Sequence, residues 1–328
     1  DLSWDPDQVD PRFLELRDEY GQIPIHFYGE EDGSFDPQDY FEFFGDKHYG
    51  DVSHSDDYTA ENVYTLSLKD GYGARMVVEN GGLINSNPMQ FTLADAYEET
   101  VFFEKQLISD KLGRAWSTQN PEYYREDVWF WEKITAPDLE IIPLELQHPI
   151  DSRIRKANVK FTLHGLTYLE DLPVGEYDHE ATIRLNQAMV NTHSWRGQTE
   201  KIFLNQEGIA NSFLRHGTNN AYISLSGNTA SGNKEQVLLD NIEISYWRQY
   251  RTDEDFIKFS KPNDRPNGLF QFDVQGFSSP DVSVYKIGSS IFSSMQIEPF
   301  TVDGGAPYTV SLQDSVSSQS IRYYAVEE

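Results

Sequence analysis

The most regular alternation of apolar and polar residues in the chain runs over residues 237–250, VLLDNIEISYWRQY. Successive side chains of a strand point to opposite faces, so this pattern predicts a β-strand with one buried face. The face that holds Leu238 and Ile242 is expected to be buried, and the face that holds Trp247 to be the more hydrated one. Asp240 is the exception on the apolar face. A carboxylate there is explained best by a β-bulge or a structural partner rather than by a ligand.

Similar short segments recur at regular spacing through the middle of the chain, with turn-forming residues between them. They cover residues 159–164, 181–186, 200–204, 221–226 and 237–250. Regularly spaced strands without helices between them are typical of a β-sandwich. We therefore predict a jelly-roll, galactose-binding-like sandwich over residues 156–252.

A first β-rich domain with one or two short helices is predicted over residues 1–155. Pro11 suits the first position of a short helix, since its missing N–H has no partner there. A second helix is predicted at residues 36–45, where Asp36 can cap the N-terminus and Gly45 the C-terminus. The other patterns of this region predict a hairpin of residues 63–68 and 74–79 and strands within 91–107 and 128–134.

The last segment, residues 253–328, carries further strand patterns at 270–274, 282–287, 308–312 and 321–326. These strands either complete the sandwich or form a small immunoglobulin-like domain. The predicted fold class is thus all-β and multi-domain.

The 328 residues include 54 acidic and 26 basic side chains, which gives a formal net charge of −28. Such a field repels nucleic acid and anionic membranes, so neither is expected as a partner. A solvated acidic surface is the simple explanation, and bound Ca²⁺ is the alternative. The oxygen ligands would come from the clusters Asp5/Asp7/Asp10, Glu30/Glu31/Asp32 and Asp56/Asp57. None of these follows the EF-hand spacing, and no other cofactor is expected.

Cysteine is absent from the sequence. Its absence excludes disulfides, thiolate metal sites and a cysteine nucleophile within these residues. No stretch approaches the ~18 apolar residues of a membrane-spanning helix, so membrane insertion is not expected.

No catalytic motif is recognisable, because the GxSxG, HExxH and glycine-rich phosphate-binding patterns are all missing. Four histidines, His164, His179, His193 and His216, lie in the predicted sandwich. Their spacing matches no metal motif, so no metal site is predicted.

Trp195 and Trp247 are the candidate ligand-binding residues. Exposed aromatic rings on a sandwich can stack on sugar rings, which would make the domain a carbohydrate-binding module with a glycan as partner. Packing between domains is the alternative role for both rings.

Six segments occur in order along most of the chain: 23–45 (IPIHFYGEEDGSFDPQDYFEFFG), 61–76 (ENVYTLSLKDGYGARM), 127–134 (DVWFWEKI), 181–195 (ATIRLNQAMVNTHSW), 238–250 (LLDNIEISYWRQY) and 270–287 (FQFDVQGFSSPDVSVYKI). Together they resemble the region upstream of the catalytic domain in gingipain-family cysteine peptidases, including the sortase of the type IX secretion system.

The resemblance implies an exported protein of a Gram-negative bacterium, located in the periplasm, at the cell surface or outside the cell. It also implies β-rich accessory domains that pack against and support a downstream caspase-like peptidase domain, their partner in the same chain. The catalytic His and Cys of that domain have no counterpart here, so no catalytic residue is assigned. The alternatives are a carbohydrate-binding module and a stand-alone hydrolase such as a glycosidase.

Overall fold

Strands dominate the computed structural model, which describes residues 9–49, 54, 59–110, 128–287, 290–293, 295–299 and 307–328. Its helical segments are 3₁₀ turns of three residues, such as Pro11–Phe13. There the Asp10 carboxylate caps the turn by accepting a hydrogen bond from the backbone N–H of Arg12 at 3.0 Å. The predicted all-β fold class is confirmed, and so is a short helix at Pro11. Within the described ranges, no helix is long and apolar enough to cross a membrane.

The strands are numbered along the chain. The first thirteen are β1 (Leu14–Arg17), β2 (Gln22–Ile23), β3 (His26–Tyr28), β4 (Tyr40–Glu42), β5 (Thr65–Leu68), β6 (Val77–Asn80), β7 (Thr92–Leu93), β8 (Tyr97–Glu104), β9 (Ile108–Ser109), β10 (Trp129–Phe130), β11 (Glu132–Thr135), β12 (Asp138–Leu146) and β13 (Lys156–Gly165). The others are β14 (His179–Leu185), β15 (Ala188–Trp195), β16 (Glu200–Leu204), β17 (Ile209–Ala210), β18 (Gly217–Leu225), β19 (Gln236–Arg248), β20 (Phe256–Phe259), β21 (Gly268–Phe277), β22 (Val282–Lys286), β23 (Ser290–Ser293), β24 (Gln296–Pro299), β25 (Tyr308–Val316) and β26 (Tyr323–Glu327).

Contacts between backbone segments divide the chain into two units. The central unit is formed by Glu98–Gln249 together with Tyr49–Asp57. The composite unit is formed by Asp1–His48, Tyr58–Tyr97 and Tyr250–Glu328, so it draws on both sides of the central unit in sequence.

The central unit is a sandwich of two sheets. One sheet has the strand order β12-β18-β14-β15, and the other has the order β11-β19-β13-β16, with β8 also paired to β19 and β17 to β13. Both sheets contribute to one core, in which Phe161, Ile183, Ile223 and Tyr246 are fully buried. Because β8, β11 and β12 belong to these sheets, the predicted boundary near residue 155 falls inside the unit.

Asp240 lies at a β-bulge between β13 and β19. Thr162 pairs with Asn241 while Leu163 pairs with Leu239, so Asp240 and Asn241 together oppose one residue of β13. The buried Asp240 carboxylate also faces the ring of His164, with Oδ2 3.5 Å from Nε2. The prediction of a bulge or a structural partner is confirmed, and in fact both occur.

This bulge also explains an error in the predicted faces of β19. Since Asp240 and Asn241 point away from the core together, Leu239 and Ile242 both point into it, and Val237 does so with them. Leu238 was expected on that face but packs on the opposite side against Phe130. Strict alternation was therefore correct on the C-terminal side of the bulge and wrong on the N-terminal side.

The composite unit contains a sandwich of its own. Its sheets have the orders β20-β26-β22-β23-β6 and β24-β25-β21-β7, and their shared core includes Phe272, Val284 and Leu312. Strands β6 and β7 come from the N-terminal part of the chain and pair in parallel with β23 and β21. Smaller sheets, β2-β1-β5 and β3-β4, pack around Leu14 and Ile25.

Two local predictions in this unit were wrong. The segments at 63–68 and 74–79 contain strands, but β5 pairs with β1 and β6 with β23, so they form no hairpin. Residues 36–45 contain strand β4 rather than a helix. Phe41 packs against Phe27 of the paired strand β3, with ring centroids 6.0 Å apart, and this packing outweighs the favourable helix caps.

Deleting Asp240 should be tolerated, because it removes the extra residue of the bulge and leaves Leu239 and Ile242 on the core side. We expect a loss of about 1–3 kcal/mol in the free energy of unfolding. Deleting Glu243, in the regular part of the same strand, should instead turn Ile244 and Tyr246 out of the core. Each would forfeit about 1.5–3 kcal/mol of burial, and the chain should not fold.

Urea denaturation followed by circular dichroism measures both deletions. Equal effects of the two deletions would contradict the assignment of the bulge to Asp240.

Candidate functional site

A groove of about 870 Å³ lies on the outer face of the β12-β18-β14-β15 sheet in the central unit. Its volume is in the range of ordinary ligand sites in proteins. Strand alternation creates its floor, because Ile183 and Ile223 point into the core and their neighbours Arg184 and Tyr222 must point outward.

The floor consists of two rows of side chains that cross the paired strands. One row is Leu139, Ser224 and Thr182, and the next is Tyr222, Arg184 and Met189. All six line the groove. An arginine therefore stands beside a tyrosine and a methionine in the middle of an open sheet face.

One wall of the groove is the segment 212–215, which carries the half-exposed ring of Phe213. The fully buried amide of Asn219 holds this wall by accepting a hydrogen bond from the Arg215 N–H at 3.1 Å and donating one to the Arg215 carbonyl at 2.8 Å. Asn186, in the turn between β14 and β15, donates to the Phe213 carbonyl and to Asn219 Oδ1, both at 2.8 Å. The amides of the buried Asn219 and the partly exposed Asn186 thus fix the wall to the floor.

The charge of the groove is opposite to that of the chain. Among the residues that the structure describes, its lining contains Arg184 and Arg215 but no Asp or Glu, although the chain has a net charge of −28. Arg215 Nε donates to the Thr218 carbonyl at 2.9 Å. The guanidinium of Arg184 has no hydrogen bond or ion pair with any described residue. An exposed arginine without a partner is suited to bind a carboxylate or a hydroxyl-rich ligand.

The described lining of the groove can bind a ligand but offers no histidine or carboxylate for acid–base catalysis. Hydroxyls of Thr182, Ser212 and Ser224 line the groove without a histidine or a carboxylate beside them there. A nucleophilic hydroxyl needs an adjacent base, and glycoside hydrolysis needs a pair of carboxyl groups.

The two tryptophans predicted from the sequence lie elsewhere and are covered by protein. Trp195 is 5% exposed and stacks on His179, with ring centroids 4.9 Å apart. Trp247 is 8% exposed, and the Arg155 guanidinium lies 4.3 Å from the centre of its ring. A sugar ring would have to displace these contacts before it could stack on either tryptophan.

The four histidines occupy separate environments, and no three of them come together. His164 faces Asp240, His193 packs on Phe203, and His216 stacks on His148 at 4.2 Å. Burial lowers the pKa of His179, so its ring is neutral where it stacks on Trp195.

The acidic clusters considered for Ca²⁺ are only partly described. Asp10 pairs with Arg12 at 2.6 Å, and Glu30 pairs with Arg75 at 2.7 Å. Asp5, Asp7, Asp56 and Asp57 lie outside the described residues. A calcium site remains a prediction.

Sequence reasoning missed the groove residues Arg184 and Tyr222. A signal did exist, since both occupy the polar positions of predicted strands and arginine is scarce in so acidic a chain. What the sequence lacks is the strand order that brings β14 and β18 together.

No family model matches the chain, and no curated protein matches it by sequence. Several solved structures do match its fold. The crystal structure of dimeric latent PorU from Porphyromonas gingivalis superposes with a TM-score of 0.55 over 97% of this chain, at 13% sequence identity. The chain is similar in fold to part of PorU. It spans 29% of the length of that chain.

Two further matches are weak. The CBM36-1 domain of a multidomain xylanase from the hindgut metagenome of Trinervitermes trinervoides matches with a TM-score of 0.25 and 9% identity, over 45% of this chain and 95% of that one. Infectious bursal disease virus, Gt strain, matches with a TM-score of 0.25 and 12% identity, over 95% of this chain and 61% of that one. At these scores neither match carries an argument about function.

Replacing Asn219 by alanine should loosen the wall of the groove, because it removes four hydrogen bonds: two with the Arg215 backbone, one with the Gly217 carbonyl and one with Asn186. We expect the free energy of unfolding to fall by about 2–3 kcal/mol. The matched control is Asn228→Ala, whose exposed side chain should be within about 0.5 kcal/mol of neutral. Chemical denaturation measures both, and equal values would contradict this role of Asn219.

Proposed function

We propose that this chain is the non-catalytic accessory region of an exported gingipain-like cysteine peptidase. In this role it packs against and supports a downstream caspase-like catalytic domain. The observation that carries the proposal is the superposition of 97% of the chain on 29% of PorU with a TM-score of 0.55. The six segments that resemble the region upstream of the catalytic domain in gingipain-family peptidases support it from the sequence.

The properties of the described residues fit an accessory role. The groove of the central unit lacks the groups for acid–base catalysis, and the sequence contains no cysteine to serve as nucleophile. In both units the buried apolar residues form extensive cores. Rigid sandwiches of this kind are suited to hold a neighbouring domain in place.

The parent gene tests the proposal directly. We expect its reading frame to continue past Glu328 into a caspase-like domain with a catalytic His and Cys. A frame that stops at Glu328, or continues into an unrelated domain, would overturn it.

Deleting this region from the full-length protein then tests the supporting role. We expect the remaining catalytic domain to unfold at a lower temperature or to accumulate in insoluble form. A catalytic domain that keeps its melting temperature and activity alone would contradict a supporting role, even if the gene encodes it.

A second function, carbohydrate binding, is favoured by one specific observation. The groove presents Tyr222 beside the unpaired Arg184 on an open sheet face, and its wall adds Phe213. An aromatic ring offers an apolar face to a sugar ring, and an arginine offers several N–H donors to its hydroxyl groups. The groove therefore replaces Trp195 and Trp247 as the proposed platform for a glycan. A glycosidase gains no support, since none of the described residues that line the groove carries a carboxylate.

A glycan array followed by calorimetry tests this second function. If the array yields a ligand, Arg184→Ala and Tyr222→Ala should each weaken its binding by about tenfold or more. Arg153→Ala, at an exposed arginine outside the lining, should leave the affinity unchanged. If binding is lost only in Trp195→Ala and Trp247→Ala variants that still fold, then the glycan binds at the tryptophans and not in the groove. Absence of any glycan ligand would argue against the module.

A further inference from the structure

Two charged residues occupy core-facing positions in the sandwich of the composite unit. In β22 the core-facing Val284 is followed two residues later by Lys286, and in β25 the core-facing Leu312 is followed in the same way by Asp314. Strands β22 and β25 belong to opposite sheets. The two side chains therefore approach each other across the core.

The geometry joins these residues to two others. Lys286 Nζ lies 3.1 Å from Asp314 Oδ2 and donates to the Glu79 carboxylate at 3.0 and 2.9 Å. The fully buried Tyr323 donates its hydroxyl to Asp314 Oδ2 at 2.5 Å. The side chains of Lys286 and Asp314 are only 14% and 8% exposed, whereas that of Glu79 is 36% exposed. An amine, a carboxyl group, a second carboxylate and a phenol thus meet within hydrogen-bond distance.

We propose that Lys286 and Asp314 form an intramolecular amide cross-link between the two sheets of this sandwich. The Nζ atom of Lys286 bonds to Cγ of Asp314, and one carboxyl oxygen of Asp314 leaves as water. No oxidant or external reactant is needed, since an ammonium and a carboxylate condense to an amide plus water.

The environment favours the neutral amide over the ion pair. Charges at core positions lose their hydration, and a buried ion pair regains that loss only with very good geometry. Condensation replaces both charges by one amide, which has a far smaller desolvation cost. The fold also holds the reacting groups together, which greatly raises their effective concentration.

The two remaining residues have distinct roles in the step. Burial acts to lower the pKa of Lys286, but the carboxylates of Glu79 and Asp314 outweigh it and raise that pKa, so the resting lysine is an ammonium. Its proton must therefore move to a carboxylate before the amine can attack. Glu79, the more exposed acid, carries two protons in turn from the nitrogen to the departing oxygen, one before the attack and one after it, so the oxygen leaves as water and Glu79 ends unchanged.

Tyr323 contributes a hydrogen bond at the carboxyl group. Burial raises the pKa of its hydroxyl far above the ordinary range, so the phenol keeps its proton. It donates to the oxygen on which negative charge develops during attack, as oxyanion-stabilising donors do.

Intact mass spectrometry of the full chain under denaturing conditions tests the proposal. We expect the folded protein, once denatured, to be lighter than its sequence by one water molecule. Peptide mapping should give a branched peptide that joins Lys286 to Asp314. A mass equal to that of the unmodified sequence would reduce the cluster to an ion pair and overturn the proposal. A branch to Glu79 would overturn the assignment of Asp314.

Matched variants separate the cross-link from other dehydration. Lys286→Arg keeps the positive charge but cannot form this amide, so the variant should have its full sequence mass, as should Asp314→Ala. Glu79→Gln should slow or abolish the loss of water. Lys261→Arg alters a second buried lysine whose amine donates to the carbonyls of Pro262 and Arg265, and it should leave the loss of water intact. If Lys286→Arg still lacks one water, the cross-link is not at this site.

Discussion

The two-residue period of the strands is the constraint on which the rest of this structure depends. In the central unit it sends Ile183 and Ile223 into the core and Arg184 and Tyr222 into the groove. The bulge at Asp240 shifts this period by one residue, so that Leu239 before it and Ile242 after it both face the core. A slip of one residue would exchange the faces of a whole strand, with a cost comparable to much of a domain's stability, on the order of 5–15 kcal/mol.

The same period also places charges where an apolar residue would be expected. In the composite unit it sends Lys286 and Asp314 inward, where they meet across two sheets. The alternation of apolar and polar residues does not reveal these inward charges, because the segment 282–287 has the pattern of an ordinary strand. Polar residues that point outward line the groove of the central unit, and charged residues that point inward form the cluster of Lys286 and Asp314 in the composite unit.

Short-range sequence patterns predicted most of the strands correctly, but they did not predict which strands pair with one another. The all-β class follows from alternation that is visible within a few residues, and Pro11 marks its 3₁₀ turn by its own chemistry. Pairing is not local: β6 has a turn and a strand just before it in sequence, yet it pairs with β23 more than two hundred residues later. The caps around residues 36–45 predict a helix, but the contact of Phe41 with Phe27 decides for a strand. Groove residues were missed for the same reason, since they come together only through the order of β12, β18 and β14.

The interrupted sequence of the composite unit has a consequence for folding. Strands β6 and β7 must find β23 and β21 after the whole central unit has been synthesised. As a flexible loop, an insertion of this length would add an entropic cost on the order of 4 kcal/mol to that closure. Pairing of β8 with β19 brings together the two ends of the insertion when the central unit folds. Folding of the central unit thus lowers the entropic cost of pairing β6 and β7 with β23 and β21. A mutation that unfolds the central unit would therefore weaken the sandwich of the composite unit, although none of the described strands of that sandwich belongs to the central unit.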